Sequence, residues 1–209
     1  MRRALILAVI SLTLPIAAWA DGIDLFNHFG SVSISNAGIF SKGSQLSQYQ
    51  AINLGHSLGS VSFGTGALLS GSIQAGGTFS DAGSFFNVVG KGNGGQPKGA
   101  IFTGAFVGPI SWTLVSQTGQ SLIYQLSGAI SGTLFNGHMV TGTTTQLFHT
   151  TPAQLAQGIL HLTTGQTHLT STPEPGTLGL LGLGLLGIAH RVRRGRFSTR
   201  QQTQQAQQA

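Results

Sequence analysis

One pentapeptide of this 209-residue chain has the spacing of a nucleophilic serine. Gly55-His56-Ser57-Leu58-Gly59 matches Gly-x-Ser-x-Gly, which in hydrolases turns sharply from a strand into a helix and exposes the serine. Asp81 and a later histidine would complete the order Ser, Asp, His, and the candidates are His138, His149, His161 and His168. Residues 60–64, however, have the pattern of a strand. We therefore expect no enzyme activity and keep a secreted serine hydrolase that uses Ser57 as an alternative.

Residues for metal or paired-carboxylate chemistry are scarce. There is no Cys, and none of the histidines between the two ends of the chain has His-x-x-x-His spacing. His161 and His168 could meet across a bend, but ordinary surface histidines are the commoner case. Asp21 and Asp24 lie at the expected mature N-terminus, which leaves Asp81 without a second carboxylate. We predict no metal site and no cofactor.

Aromatic residues next to Gln, Ser, Thr and Asn open a second alternative, a carbohydrate-binding module. The candidate sugar platforms are Trp112, Tyr49 and Tyr124. Trp112 alternates with Ile110 and Leu114, which is typical of a strand residue that faces the core.

The N-terminal end has the three parts of a secretion signal. Met1-Arg2-Arg3 is basic, residues 4–15 are mostly apolar, and Ala18-Trp19-Ala20 supplies small residues before a cleavage site. The apolar run is short for a membrane span, which needs roughly 20 residues. We expect cleavage after Ala20, and an uncleaved membrane anchor is the alternative.

The C-terminal end combines a proline-framed glutamate, an apolar stretch and a basic stop. Pro173-Glu174-Pro175 disfavours helix and suits an exposed recognition site. Residues 176–189 are rich in Leu and Gly, but at ~1.5 Å per residue a helix of this length reaches only ~21 Å of a ~30 Å hydrocarbon core. A basic cluster then predicts a cytoplasmic stop by the positive-inside rule; its members are Arg191, Arg193, Arg194 and Arg196.

In this order the three parts closely resemble the PEP-CTERM sorting domain, over 172–196. The resemblance implies recognition by an exosortase, a membrane protease or transpeptidase, in diderm bacteria that make exopolysaccharide. Residues 197–209 extend beyond the usual end of that domain as a Gln-rich tail, which we expect to be disordered. Between the ends, most of all in 71–112, the chain is similar to small Gly/Ser/Thr-rich exported proteins that carry this tail in acidobacteria.

The net charge of +6 comes from the ends of the chain. All seven arginines lie in the two terminal segments, and between residues 21 and 172 three lysines balance three aspartates. A basic patch with interleaved aromatics is missing there, so we predict no nucleic-acid partner. Without Cys the core cannot use disulfides and must rely on burial and strand pairing.

The middle of the chain alternates apolar and polar residues with period two, which predicts strands. The predicted strands are 31–35, 60–63, 68–74, 84–89, 99–107, 110–114, 122–134, 139–148 and 159–169, with turns at 91–98, 117–120 and 136–137 and one helical turn at 152–157 behind Thr151. We predict an all-β fold, an antiparallel β-sandwich or barrel-like sheet.

The predicted segments are a signal peptide (1–20), a β-rich exported domain (21–171), a sorting and anchor segment (172–196) and a disordered tail (197–209). The sequence thus predicts an exported protein that is first held in the inner membrane through 176–189, with the core outside the cytoplasm, and that ends at the cell surface or outside the cell. We expect a structural or adhesive role, linked to exopolysaccharide.

Overall fold

The computed structural model describes residues 22–54 and 57–171. About 72% of these residues lie in strands and 3% in helix, so the predicted all-β class is confirmed. The predicted signal peptide with its cleavage site after Ala20, the Pro173-Glu174-Pro175 motif, the membrane segment, the basic cluster and the Gln-rich tail lie outside the described residues.

The described part of the chain contains eleven strands and one short helix. They are β1 (Gly22–His28), β2 (Ser31–Ser35), β3 (Gly38–Tyr49), β4 (Gly59–Gly64), β5 (Leu68–Ser72), β6 (Gly76–Phe79), β7 (Phe85–Lys91), β8 (Lys98–Thr118), β9 (Ser121–Leu134), β10 (Met139–Thr150), α1 (Pro152–Ala156) and β11 (Ile159–Ser171).

Eight of the strands close into a barrel. The order around it is β8-β7-β4-β3-β1-β11-β10-β9, and β9 pairs with β8 again, every pairing being antiparallel. Strand β6 of the β5–β6 hairpin pairs with the part of β8 that extends beyond β7. Strand β2 pairs with β11 and β3 beyond the end of β1. Of the two architectures predicted, the structure has the barrel.

The strand predictions succeed wherever alternation is regular. Strands β2, β4, β7, β9, β10 and β11 lie within two residues of their predicted ends, and α1 begins behind a Thr151 cap as expected. The predicted strand 68–74 runs two residues past the end of β5, and β6, its partner in the hairpin, was not predicted. The segments 99–107 and 110–114, predicted as separate strands, are one strand with a bulge. β1 and β3 were not predicted, because buried Asn27, Ser41 and Ser44 interrupt the apolar pattern.

Aromatic side chains fill the interior of the barrel, so it is a packed core rather than a pore. Phe86 lies between Phe63 and Phe106, at ring centroid distances of 6.0 and 5.9 Å. Trp112 stacks on Tyr124 at 4.6 Å with an angle of 4° between the planes. Such pairs add to the stability that comes from area burial alone.

A chain of hydrogen bonds between uncharged polar side chains crosses the same interior. Asn27 Nδ2 on β1 donates to Ser44 Oγ on β3 at 2.7 Å and to Gln146 Oε1 on β10 at 2.9 Å. Gln146 Nε2 donates to Thr144 Oγ1 at 2.8 Å, and Thr144 is bonded to Thr167 of β11. All five side chains are buried, and their mutual bonds offset the cost of taking them out of water.

This polar network exists because Gly165 leaves room for it. Asn27 and Gln146 lie on strands that β11 separates, and a Cβ at Gly165 would be 2.0 Å from Gln146 Oε1 and 2.4 Å from Asn27 Oδ1. We therefore expect Gly165→Ala to lower the free energy of unfolding in urea by about 2–4 kcal/mol, because buried amide groups lose their partners. In a Gln146→Ala background the same substitution should cost clearly less. Equal costs in both backgrounds would contradict this explanation.

The register places both ends of the described domain at one end of the barrel. Gly22 pairs with Thr170, so β1 begins where β11 finishes. The connections 50–58, 92–97 and 135–138 also lie at this end, which we call the terminal end. Helix α1 lies at the opposite end, the helix end, with the β8–β9 turn and the β6–β7 connection.

Candidate functional site

Ser57 and Asp81, the first two members of the candidate catalytic triad, lie at opposite ends of the barrel. Ser57 precedes β4 at the terminal end, whereas Asp81 precedes β7 at the helix end. The paired strands β4 and β7 separate them, and six paired positions at 3.4 Å per step correspond to about 17 Å. The structure therefore does not bring this serine and this carboxylate together. Gly55 and His56 of the motif lie outside the described residues.

Ser57 and Asp81 each have a structural partner instead. Ser57 Oγ donates to the carbonyl oxygen of Gly59 at 3.1 Å. Asp81 Oδ2 accepts a 2.7 Å hydrogen bond from the backbone N–H of Gly108, at the bulge where β8 passes from β7 to β6. Asp81 thus holds a corner of the sheet in place through this bond.

The candidate histidines are spread over the outer surface. His149 Nε2 lies 3.0 Å from Ser121 Oγ, and His168 Nδ1 lies 2.7 Å from Asp24 Oδ1 in a half-exposed ion pair. His138 is in the β9–β10 turn at the terminal end, away from Asp81. His161 and His168 occupy one extended strand, so the idea that they meet across a bend is wrong.

His161 instead has a different histidine as its neighbour. It lies directly opposite His149, because β10 and β11 pair in that register. Within the described part of the chain, no group of three or more His, Cys, Asp or Glu side chains could hold a metal ion.

Trp112, Tyr49 and Tyr124, the predicted sugar platforms, are buried at 1%, 6% and 1% exposure. Trp112 Nε1 donates to the carbonyl oxygen of Ile73 at 2.9 Å, and the Tyr124 hydroxyl donates to that of Gln74 at 2.7 Å. These two bonds hold the turn of the β5–β6 hairpin on the barrel. Burial raises the pKa of the Tyr124 hydroxyl, so the phenol stays a proton donor. The role of Trp112 as a core residue is confirmed.

The outer face of the barrel presents a row of side chains, five polar and one aromatic, across six neighbouring strands. The strand registers align six residues, one on each of β8, β9, β10, β11, β1 and β3: Ser111, Ser127, Thr145, Gln166, Phe26 and Gln48. All six are exposed or half-buried, while their chain neighbours mostly face the core. At about 4.8 Å between strands the row is about 24 Å long. We call these residues the polar row.

Sequence reasoning did not find the polar row. Its only signal in the sequence is the outward parity of Ser and Thr along β9 and β10, and alignment across strands depends on register. Among residues 22–54 and 57–171, five side chains carry a formal charge, three Lys and two Asp, so the net charge is 3 − 2 = +1.

Comparison with known proteins identifies the C-terminal end. Residues 171–194 match the family model of the PEP-CTERM protein-sorting motif, starting at the last residue of β11. The chain carries a PEP-CTERM sorting motif. The motif marks an exported protein that an exosortase sorts and that is held in the membrane before its release. No curated protein matches this PEP-CTERM chain, and no solved structure matches it.

The membrane segment predicted at 176–189 lies outside the described residues. Within residues 22–54 and 57–171, no helix reaches the length and apolarity required to span a membrane.

Proposed function

We propose that this PEP-CTERM protein is a non-catalytic component of the cell surface or extracellular matrix, with a structural or adhesive role through neutral exopolysaccharide. The barrel would serve as a rigid scaffold that holds hydroxyl and amide groups in fixed positions outside the cell. After export the chain is first held in the inner membrane through residues 176–189 and is then processed by the exosortase.

The observation that supports this proposal is the polar row. Sugars carry many hydroxyl groups, and a ladder of Ser, Thr and Gln side chains offers both donors and acceptors to them. Phe26 lies between Gln166 and Gln48 in the row and adds an apolar surface beside these polar groups. The near absence of charge in the described domain favours a neutral polymer over an acidic one, which would select a cationic surface.

A non-catalytic role is supported by the partners of the candidate triad. The Ser57 hydroxyl donates to a backbone carbonyl, and the Asp81 carboxylate accepts from a backbone amide about 17 Å along the sheet. In a Ser-His-Asp triad the carboxylate orients the histidine that activates the serine, and a carboxylate about 17 Å along the sheet is too far from Ser57 for that task.

Retention on the host's exopolysaccharide tests the proposal. The double variant Thr145→Ala with Gln166→Ala should lose about tenfold in affinity, because two neutral hydrogen bonds together correspond to that order of change. Thr103→Ala is the matched control, since Thr103 is an exposed threonine outside the polar row. Affinity gel electrophoresis against the purified polymer measures all three proteins.

Two outcomes would contradict the adhesive role. One is a wild-type protein that the polymer does not retard, and the other is an equal loss in the double variant and in Thr103→Ala. Neither outcome would affect sorting through the PEP-CTERM motif, which is read at a different part of the chain.

A further inference from the structure

Two histidines face each other on the outer surface of the barrel. His149 of β10 and His161 of β11 are directly opposite in the antiparallel register, and both are exposed. Their chain neighbours Phe148, Thr150 and Leu160 are buried, so both imidazoles leave the sheet on its outer side. Directly opposite residues have Cβ atoms about 4.5–5.5 Å apart, a span that two imidazoles can close around one ion.

The ring nitrogens that would bind an ion are held by single, exposed contacts. His149 Nε2 is 3.0 Å from Ser121 Oγ, and His161 Nε2 is 3.5 Å from Gln154 Nε2. Such contacts exchange readily with water, and exposed side chains change rotamer on the picosecond to nanosecond timescale. Both rings can therefore turn toward the space between β10 and β11.

The available ligands determine the class of ion. Two neutral imidazoles favour Zn²⁺, Cu²⁺ or Ni²⁺, whereas Ca²⁺ and Mg²⁺ require oxygen ligands. Of the two described aspartates, Asp24 is paired with His168 and Asp81 with the amide of Gly108, so neither supplies oxygen at this pair.

We propose that His149 and His161 form a two-histidine site for a divalent transition-metal cation of the imidazole-preferring class. A closed structural zinc site uses four protein ligands, so this site leaves coordination positions open to water or to an external ligand. The bound cation should therefore exchange readily with cations in solution. This inference rests on the barrel alone and is independent of the proposed function.

Titration of the full chain with Cu²⁺ tests the site. Calorimetry should give one site that depends on both histidines, and electron paramagnetic resonance should show two imidazole nitrogens on the bound Cu²⁺. His149→Ala or His161→Ala should each weaken this site roughly 100-fold, because the second imidazole binds intramolecularly once the first is in place.

His168→Ala is the matched control, because His168 is a half-exposed histidine of the same strand and pairs with Asp24. It should leave the affinity unchanged, and circular dichroism should show that all three variants fold. The proposal is overturned by unchanged affinity in both pair variants, by an equal loss in His168→Ala, or by a spectrum with a single imidazole nitrogen.

Discussion

Replacing Glu174 with alanine in the native host is expected to leave most molecules of the protein unprocessed by the exosortase. Glu174 is framed by two prolines, a residue type that disfavours helix, and it lies within the matched motif at 171–194. An exosortase that reads this segment would lose the one acidic group it contains. Mass spectrometry of membrane and culture fractions should then find the protein with its Arg cluster still attached and associated with the membrane.

Deletion of residues 197–209 provides the control for this experiment. That Gln-rich extension lies outside the matched residues, so processing should continue as in the wild type. If Glu174→Ala is processed and released like the wild type, Glu174 is not part of the signal that the exosortase reads.

Trp112→Ala is expected to cause the largest loss of stability in the barrel. Trp112 is 1% exposed, stacks on Tyr124, lies 5.6 Å from Phe148 between ring centroids, and donates to the carbonyl oxygen of Ile73. Removal of a buried aromatic ring of this kind costs about 3–5 kcal/mol. Urea denaturation followed by circular dichroism measures the change in the free energy of unfolding.

Trp112→Phe separates packing from hydrogen bonding in that result. Phenylalanine keeps most of the buried apolar surface but cannot donate to Ile73, so about 1–3 kcal/mol should be lost. Hydrogen exchange in the β5–β6 hairpin should increase in both variants, because one of the two bonds that hold its turn is missing. A cost of Trp112→Ala below about 1 kcal/mol would show that the ring is not part of the core.

Much of the secondary structure was predictable because its physical causes are local. Regular alternation in β9 and β10 reports one buried and one exposed face, and Thr151 caps α1 through a bond to Gln154 only three residues away. Where buried polar groups break the alternation, as Asn27 does in β1, the pattern fails. The partners that allow Asn27 to be buried come from distant parts of the chain, such as Gln146.

The candidate site residues show the same division. Gly-x-Ser-x-Gly was visible as letters, but the distance between Ser57 and Asp81 depends on the direction and pairing of β4 and β7. The burial of Tyr49 and Tyr124, and the facing positions of His149 and His161, likewise follow from how strands pair. The period of two in a strand's sequence determines which face of the sheet a side chain lies on, whereas the pairing register determines which residues of the next strand lie beside it.

The sequence by itself determined the all-β class, most strand positions and the PEP-CTERM sorting motif, because alternation and a linear recognition signal are read along the chain. The tertiary structure alone decided that the sheet closes into a barrel, that the predicted sugar platforms are core residues and that the polar row exists. Each of these depends on contacts between residues far apart in sequence, such as the pairing of β1 with β11, which joins the first and the last strand of the described domain.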